Sequence, residues 1–507
     1  MKRIILVLFF VVLSRSSFSQ IRRDAIWCFG DSVLVDFNYS PPLLDYCATR
    51  SRGSACSIAD SSGNLLFYAH TYYYPRWQNS NLELGAVWNR NHQLMENGDS
   101  LIGRVWYKEM VIVPNPALNN KYYLFHTDVA QFRKLYYSVI DLSYNAGLGK
   151  ITQKNVLIDS LPNRGITDGI VAVKHGNGRD WWVLFRLYNI DGSIGNSIGR
   201  ILISPAGPGS IIEQNIGLPT YSNITRLYFN HAGNNLALIN VAGLVEYYDF
   251  DRCTGQLSNL RTLHMEEYNA QTFYINYNWS AEFSENDSVL YVSTNDPSVS
   301  YLYQYDLSAT NISNSRLLID SLNSPGNGGE LKLAADGKIY WAGAYYNGVN
   351  WPYPYDDSVY NQYNMNLSVI SSPNQIGQAC DFQRYSFYLG GHRSYLGLPN
   401  NPNYDLIAKG GTLCDTLGFP NAIYDQNIKS TLQVFPNPAS TKLALSYEAM
   451  HNSNAEVIIT DVTGRVVLQQ ILNSTWLEIS SLTDGIYLLH LYFNNQFYSA
   501  VKFTVLK

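Results

Sequence analysis

Charge is what this chain has least of. Among 507 residues there are 35 Lys or Arg and 40 Asp or Glu, for a net charge of −5. So thin a basic complement forms no clustered positive face. That excludes a nucleic-acid partner, whose phosphates have to be neutralised by grouped cations. Long apolar runs are also missing. Ile4 to Leu13 is a run of ten residues, which as a helix spans about 15 Å, half a bilayer core, and no later stretch is long enough to cross. With Lys2 and Arg3 ahead of it and small residues at Ser17 and Ser19, the segment 1–19 reads as a signal peptide cut before Gln20. No transmembrane segment is expected.

Cysteine is scarce. Cys28, Cys47, Cys56, Cys253, Cys380 and Cys414 are six in number, which in an exported chain suggests disulfides with 15 possible pairings. Buried free thiols are the alternative. The spacings fit no zinc pattern. Motifs of catalysis are absent as well: no Gly-x-Ser-x-Gly elbow, no His-Glu-x-x-His, no phosphate-binding loop and no dinucleotide glycine pattern. The nine histidines are scattered without metal-ligand spacing. No catalytic residue and no metal ligand is assigned.

What the chain has is Tyr, 40 of them, beside 10 Trp and 36 Gly. Aromatics and turn formers with little charge are the composition of an all-β protein. A degenerate repeat runs through the region 20–398. Each copy is an apolar strand, a polar turn with Gly, Asn or Asp, and a second strand rich in aromatics. One copy is Ala55 to Tyr68, with Asp60-Ser61-Ser62-Gly63-Asn64 as its turn. Others are Met110 to Phe125, Ile170 to Phe185, Leu227 to Ile239, Ala281 to Val292 and Leu331 to Ala342. The second strands begin near residues 65, 122, 181, 236, 289 and 339, so the period is about 50 to 60 residues, the length of a four-stranded sheet with its connections. That predicts a β-propeller. Seven blades are favoured and six are the alternative. The seventh would pair Ala379 to Leu389 with the N-terminal strand Ala25 to Phe29, closing the ring across the termini.

Polar or charged residues recur just before or within the first strand of each repeat: Glu109, Asp168, Arg226, Glu282, Glu330 and Asp381. First strands of propeller blades line the central channel, so these six side chains are expected to converge at one mouth. Five carboxylates and one arginine have the chemistry to hold a cation or a polar ligand, and crowding would raise some carboxylate pKa values. No calcium motif accompanies them. No cofactor is therefore expected, with calcium left open. Inter-blade hydrogen bonding is the competing reading. The aromatic runs Tyr72-Tyr73-Tyr74, Tyr345-Tyr346 and Trp351 to Tyr355 are candidate contact loops for sugars or proteins.

The block 432–507 follows a segment rich in Asn, Gly and Pro, residues 399–431, which reads as a linker. Leu443 and Leu445, then Val457 and Ile459, then Val501, Phe503 and Val505 alternate as strands, which predicts a small immunoglobulin-like sandwich. The block opens with Val434-Phe435-Pro436-Asn437-Pro438-Ala439-Ser440, continues through Asp461-Val462-Thr463-Gly464-Arg465, and closes with Leu482-Thr483-Asp484-Gly485-Ile486-Tyr487 and a strand ending in Lys507. It closely resembles the type A C-terminal sorting domain of proteins exported by the type IX secretion system of Bacteroidetes. The resemblance implies that Pro436, Asn437, Pro438, Gly464, Asp484, Gly485 and Lys507 belong to the sorting signal. It further implies that the outer-membrane translocon is a partner, and that the domain is removed by a cut before about Leu432.

The region 24–400 also resembles large Bacteroidetes surface proteins with a propeller-like N-terminal region. The likeness is carried by Trp27-Cys28-Phe29-Gly30, by Tyr248-Asp249-Phe250-Asp251 with Arg252-Cys253-Thr254-Gly255, and by Gly397-Leu398-Pro399-Asn400. It implies a fold and a location without a reaction. The expected product is a secreted or surface-attached protein that binds an extracellular glycan or protein. The alternatives are a secreted hydrolase or lyase acting on polysaccharide through the acidic channel mouth, and a structural part of the surface layer.

Overall fold

The computed structural model describes residues 22–72, 84–104, 106–128, 133–158, 163–191, 193, 195–220, 224–265, 277–296, 298–346, 359–412, 414–415, 432–446, 455–461, 465–472, 474, 476–493 and 496–507. The expected signal peptide, Gly464 and the run Trp351 to Tyr355 lie outside them. The chain divides into two compact units, 1–421 and 422–507.

The first unit is a β-propeller of seven sheets. Six open on a repeat seen in the sequence, with first strands Ala55–Ala59, Met110–Pro114, Val171–Lys174, Thr225–Phe229, Tyr277–Phe283 and Gly326–Leu333. In each of these six sheets the first two strands are an antiparallel hairpin, as the Gly, Asn and Asp turns predict. At Asp60 the carboxylate accepts the N–H groups of Ser62 (2.8 Å) and Asn64 (2.9 Å), closing the first of these turns. The alternating apolar side chains pack between neighbouring sheets, for example Phe67, Val111 and Phe125 in one shared core.

The seventh sheet differs from the expected one. It is made of the three N-terminal strands Ile26–Phe29, Asp31–Asp36 and Leu43–Arg50. The segment Phe382–Tyr388, expected in that sheet, is instead the outer strand of the sixth. The inner position of the seventh blade is taken by residues 393–401. Leu396 O accepts from Glu330 N at 2.7 Å, and further along Asn401 O accepts from Lys332 Nζ at 3.3 Å, so the segment runs in the direction of its inner-strand neighbour. Arg393 O accepts from Asp31 N, and Asn400 N donates to Ala55 O, tying the sixth, seventh and first blades together. Glycine is required at this seam. A Cβ at Gly397 would meet the backbone of Gly53 at 2.3 Å, and one at Gly329 would meet Leu396 O at 2.3 Å. The ring therefore closes by combining strands from both ends of the unit.

The expected linker begins later than residue 399. Asn400 and Tyr404 are buried. Lys174 Nζ donates to Tyr404 O (2.6 Å), Arg252 Nη2 to Ile407 O (2.6 Å) and Lys409 N to Gly176 O (2.7 Å). A disulfide joins Cys253 to Cys414 across 161 residues of sequence. Cys28, Cys47, Cys56 and Cys380 are buried free thiols. Residues 402–412 thus form a strap across the third and fourth blades, pinned at Cys414 by the disulfide.

The second unit has two sheets. One contains Gln433–Phe435, Lys442–Ser446 and Trp476–Glu478; the other contains Ala455–Asp461, Val466–Ile471, Gly485–Phe493 and Gln496–Val505. Leu443, Leu445 and Leu477 from the first meet Val457, Ile459, Leu489 and Phe503 from the second in one core. Among the described residues no helix is long and apolar enough to cross a membrane.

Candidate functional site

The inner strands bring Asp168, Arg226, Glu282 and Glu330 to the propeller axis. Arg226 is the hub. Its Nε (3.1 Å) and Nη2 (2.6 Å) both donate to Asp168 Oδ2, and its Nη1 donates to Trp279 O at 2.6 Å. The guanidinium lies 4.2 Å from the Trp279 ring centroid and 4.8 Å from that of Tyr107. Asp168 and Arg226 are each 1% exposed, so this is an ion pair removed from water. Burial pushes the Asp168 carboxyl up and the attraction of Arg226 opposes it. Burial is the largest influence on Arg226 and works against its charge, but the attractions of Asp168, Tyr228 and Glu330 together leave the net shift upward.

Glu330 accepts the N–H of Leu398 from the closing segment, at 2.9 Å. Burial raises its pKa against the pull of Lys108 and Arg226. Glu282 accepts the N–H groups of Phe283 (2.9 Å) and Leu333 (3.1 Å). It too is raised by burial, with Lys332 opposing. Lys108 completes the set. Its ammonium stands 4.4 Å from the centroid of the Tyr228 ring, and burial lowers its pKa while Glu330 holds it up. Lys108 went unnoticed in the sequence because it sits one residue before the repeating polar position. Deeper in the ring, Asn400 Nδ2 donates to both Met110 O and Ile170 O at 2.8 Å, so one side chain spans from the seventh blade to the second and third.

Two of the six expected residues are elsewhere. Glu109 is fully buried, but its carboxylate folds back onto its own loop and accepts from Arg104 N (3.2 Å) and Trp106 N (3.1 Å). Asp381 is a correction. It is exposed, has φ 53°, and bonds to Gln383 at 3.2 Å on the outer strand of the sixth blade, because Phe382–Tyr388 is an outer and not an inner strand. Among the described residues no group of three or more His, Cys, Asp or Glu is arranged to hold a metal ion.

Burial pushes Glu109 up to about 8, with the two loop N–H groups pulling it down. The folded form therefore keeps its proton above the ordinary carboxylate range, where the unfolded chain has already lost it. A raised carboxyl makes stability fall as pH rises from about 4.5 to about 8. Glu109→Gln is expected to flatten that part of the stability–pH curve, read by urea denaturation at a series of pH values.

In the second unit the residues of the tail motif hold the last strand. Asn437 Oδ1 accepts from Thr504 N at 2.9 Å and its Nδ2 donates to Lys502 O at 3.4 Å. Asp484 Oδ1 accepts from Lys507 N at 2.9 Å, and Lys507 Nζ donates to Ser480 O at 2.6 Å. Pro436 and Pro438, both after cis bonds, flank Asn437, and Gly485 opens the strand paired with the last one. Residues 433–506 match the family described as the secretion system C-terminal sorting domain. The second unit is a type IX secretion sorting domain. The chain is accordingly a secreted or outer-surface protein, whose sorting domain engages the secretion machinery and whose first unit is a propeller. Replacing Asn437 with Ala leaves Thr504 N without its acceptor and is expected to cost the sorting domain about 1 kcal/mol. Faster amide exchange at 502–506 and lower export in the native host are the measurements.

No curated protein matches the sequence. Among solved structures, similar ones include a periplasmic gluconolactonase of Pseudomonas aeruginosa, with 11% identity, TM-score 0.44, and coverage of 74% of this chain and 98% of that one. A β-propeller domain of Swd1 from Myceliophteria thermophila has 10% identity and TM-score 0.37, covering 64% and 93%. PorZ of Porphyromonas gingivalis, a surface component of the type IX secretion system, has 10% identity and TM-score 0.26, covering 96% and 74%. Likenesses this distant carry no activity over to this chain.

Proposed function

We propose that this is an exported binding protein, whose propeller contacts an extracellular glycan or protein and performs no hydrolysis. The observation that carries this reading is the burial of the axial acids. Asp168 and Glu330 are 1% and 2% exposed and Glu282 is half-buried, and each already accepts a hydrogen bond from the protein. Cleaving a polysaccharide needs two carboxyl groups flanking a bond that the polymer brings between them. A polymer does not reach acids held in this way.

The rim offers contact chemistry instead. Tyr345 and Tyr363 stack at 6.3 Å, Tyr363 meets Tyr385 edge-on at 5.5 Å, and Arg393 lies 4.5 Å from the ring centroid of Tyr360, which is 48% exposed. Aromatic faces of this kind stack on sugars at low entropic cost. Tyr345 belongs to one of the aromatic runs singled out in the sequence; Tyr73, Tyr74 and the run from Trp351 fall outside the described residues. The reading also includes a signal peptide ending at residue 19, a host among the Bacteroidetes, and an immunoglobulin-like topology for the sorting domain. The test is retention of the mature protein on a panel of insoluble polysaccharides and surface proteins, with reducing-end release measured in parallel. Binding that Tyr360→Ala and Tyr345→Ala weaken, without release, supports the reading. Turnover abolished by Glu330→Gln in a folded protein contradicts it and establishes the hydrolase.

A further inference from the structure

The axial cluster satisfies its members unevenly. Asp168 Oδ2 is fully engaged by Arg226, yet Asp168 Oδ1 is buried with no hydrogen-bond partner. The same holds for Glu330 Oε1, whose Oε2 takes the Leu398 N–H, and for the indole N–H of Trp279. The Lys108 ammonium makes no hydrogen bond to any described residue, although its backbone carbonyl accepts from Ile170 N at 3.0 Å. It stands over Tyr228 in the field of Glu330 and Glu282, and retains partial exposure on an otherwise buried inner surface. Leaving a polar atom buried and unpaired costs about 1–3 kcal/mol, more for a charged group. Several such atoms gathered around one arginine point to an occupant that completes their bonds.

The chemistry of the unpaired atoms selects that occupant. Two are acceptors on carboxylates and two are donors on an ammonium and an indole. A hydroxyl group both donates and accepts, so adjacent hydroxyls match the mixed set. A bare cation would face Lys108, Arg226 and Lys332, and a bare anion would face Asp168, Glu282 and Glu330. Both are disfavoured by like charge. We propose that the propeller axis binds a small neutral hydroxylated ligand, a polyol or a single sugar ring, through Lys108, Asp168 and Glu330. The inference rests on the binding reading above and adds to it a site distinct from the rim.

The experiment is titration calorimetry of the mature, disulfide-intact protein against pentoses, hexoses, the corresponding sugar alcohols and their monodeoxy analogues. At least one member is expected to bind, and loss of one hydroxyl and each of Lys108→Met and Glu330→Gln should weaken it about tenfold or more. Asp381→Asn, on the outer strand of the sixth blade, should leave that affinity unchanged. Lys108→Met removes no protein hydrogen bond, so it remains informative if Glu330→Gln does not fold. No binding by any member at millimolar concentration means that ordered water fills the site, and overturns the inference. So does binding that neither variant changes. Retention on polysaccharide without small-sugar binding sinks only this inference and leaves the rim reading standing; loss of both sinks the two together.

Discussion

Arg226→Met is expected to be the most damaging single substitution in the propeller, costing about 3–5 kcal/mol. The change removes both bonds to Asp168 and the bond to Trp279 O, and it leaves Asp168 at 1% exposure with no counter-charge. Burial already raises the Asp168 pKa with the arginine in place, so without it the carboxyl is driven further toward its neutral form. The loss should therefore be larger at neutral pH than in mild acid. Removing both charges together, as Arg226→Met with Asp168→Leu, should recover much of it, because a buried pair exchanged for apolar groups is often near neutral in stability. Denaturant melts of the two variants at pH 7 and pH 5 give the comparison. Equal stability of Arg226→Met and the native protein would mean that the pair is open to water.

The second large effect concerns the strap. Converting Cys253 and Cys414 to Ser is expected to destabilise the first unit by about 2–4 kcal/mol, since the bridge closes a long loop and its removal restores entropy to the unfolded chain. The damage should concentrate at residues 402–412. Once the bridge is gone, the strap is held by Lys174 on Tyr404 O, Arg252 on Ile407 O and Lys409 N on Gly176 O. Limited proteolysis should cut the double variant there before any other part of the propeller, and peptide mapping of the first cut is the measurement. A first cut in an inner strand would contradict this placement of the bridge.

The repeats were legible because a strand pair with one apolar face leaves a period-two signature, and because hairpins demand Gly, Asn or Asp at their turns. The turn at Asp60 to Asn64 is the plainest case. The closure was legible in part: the N-terminal strand does belong to the seventh blade, but its C-terminal share is residues 393–401 and not Ala379 to Leu389. The seventh blade is split between chain ends, so its strands Ile26–Phe29 to Leu43–Arg50 lack the repeat's opening strand, and residues 393–401 lack its alternation because Gly397 and Pro399 interrupt them. Misplacing that blade also misplaced Asp381. Asp168, Arg226, Glu282 and Glu330 could be found because polar residues recur just before or within the inner strands, which line the axis. Lys108 could not, since an isolated lysine before a strand looks like any solvated one. The pairing of Cys253 with Cys414 depends on the path of the strap across the ring, which no local pattern encodes.

The deciding measurement is the non-reduced intact mass and end sequences of the protein recovered from the surface or medium of its native host. The predicted species starts at Gln20, ends between Cys414 and Leu432, and gains the mass of two hydrogens on reduction, for the single Cys253–Cys414 bridge. A full-length chain with its tail uncut, found in the cytoplasm with all six thiols free, would contradict it.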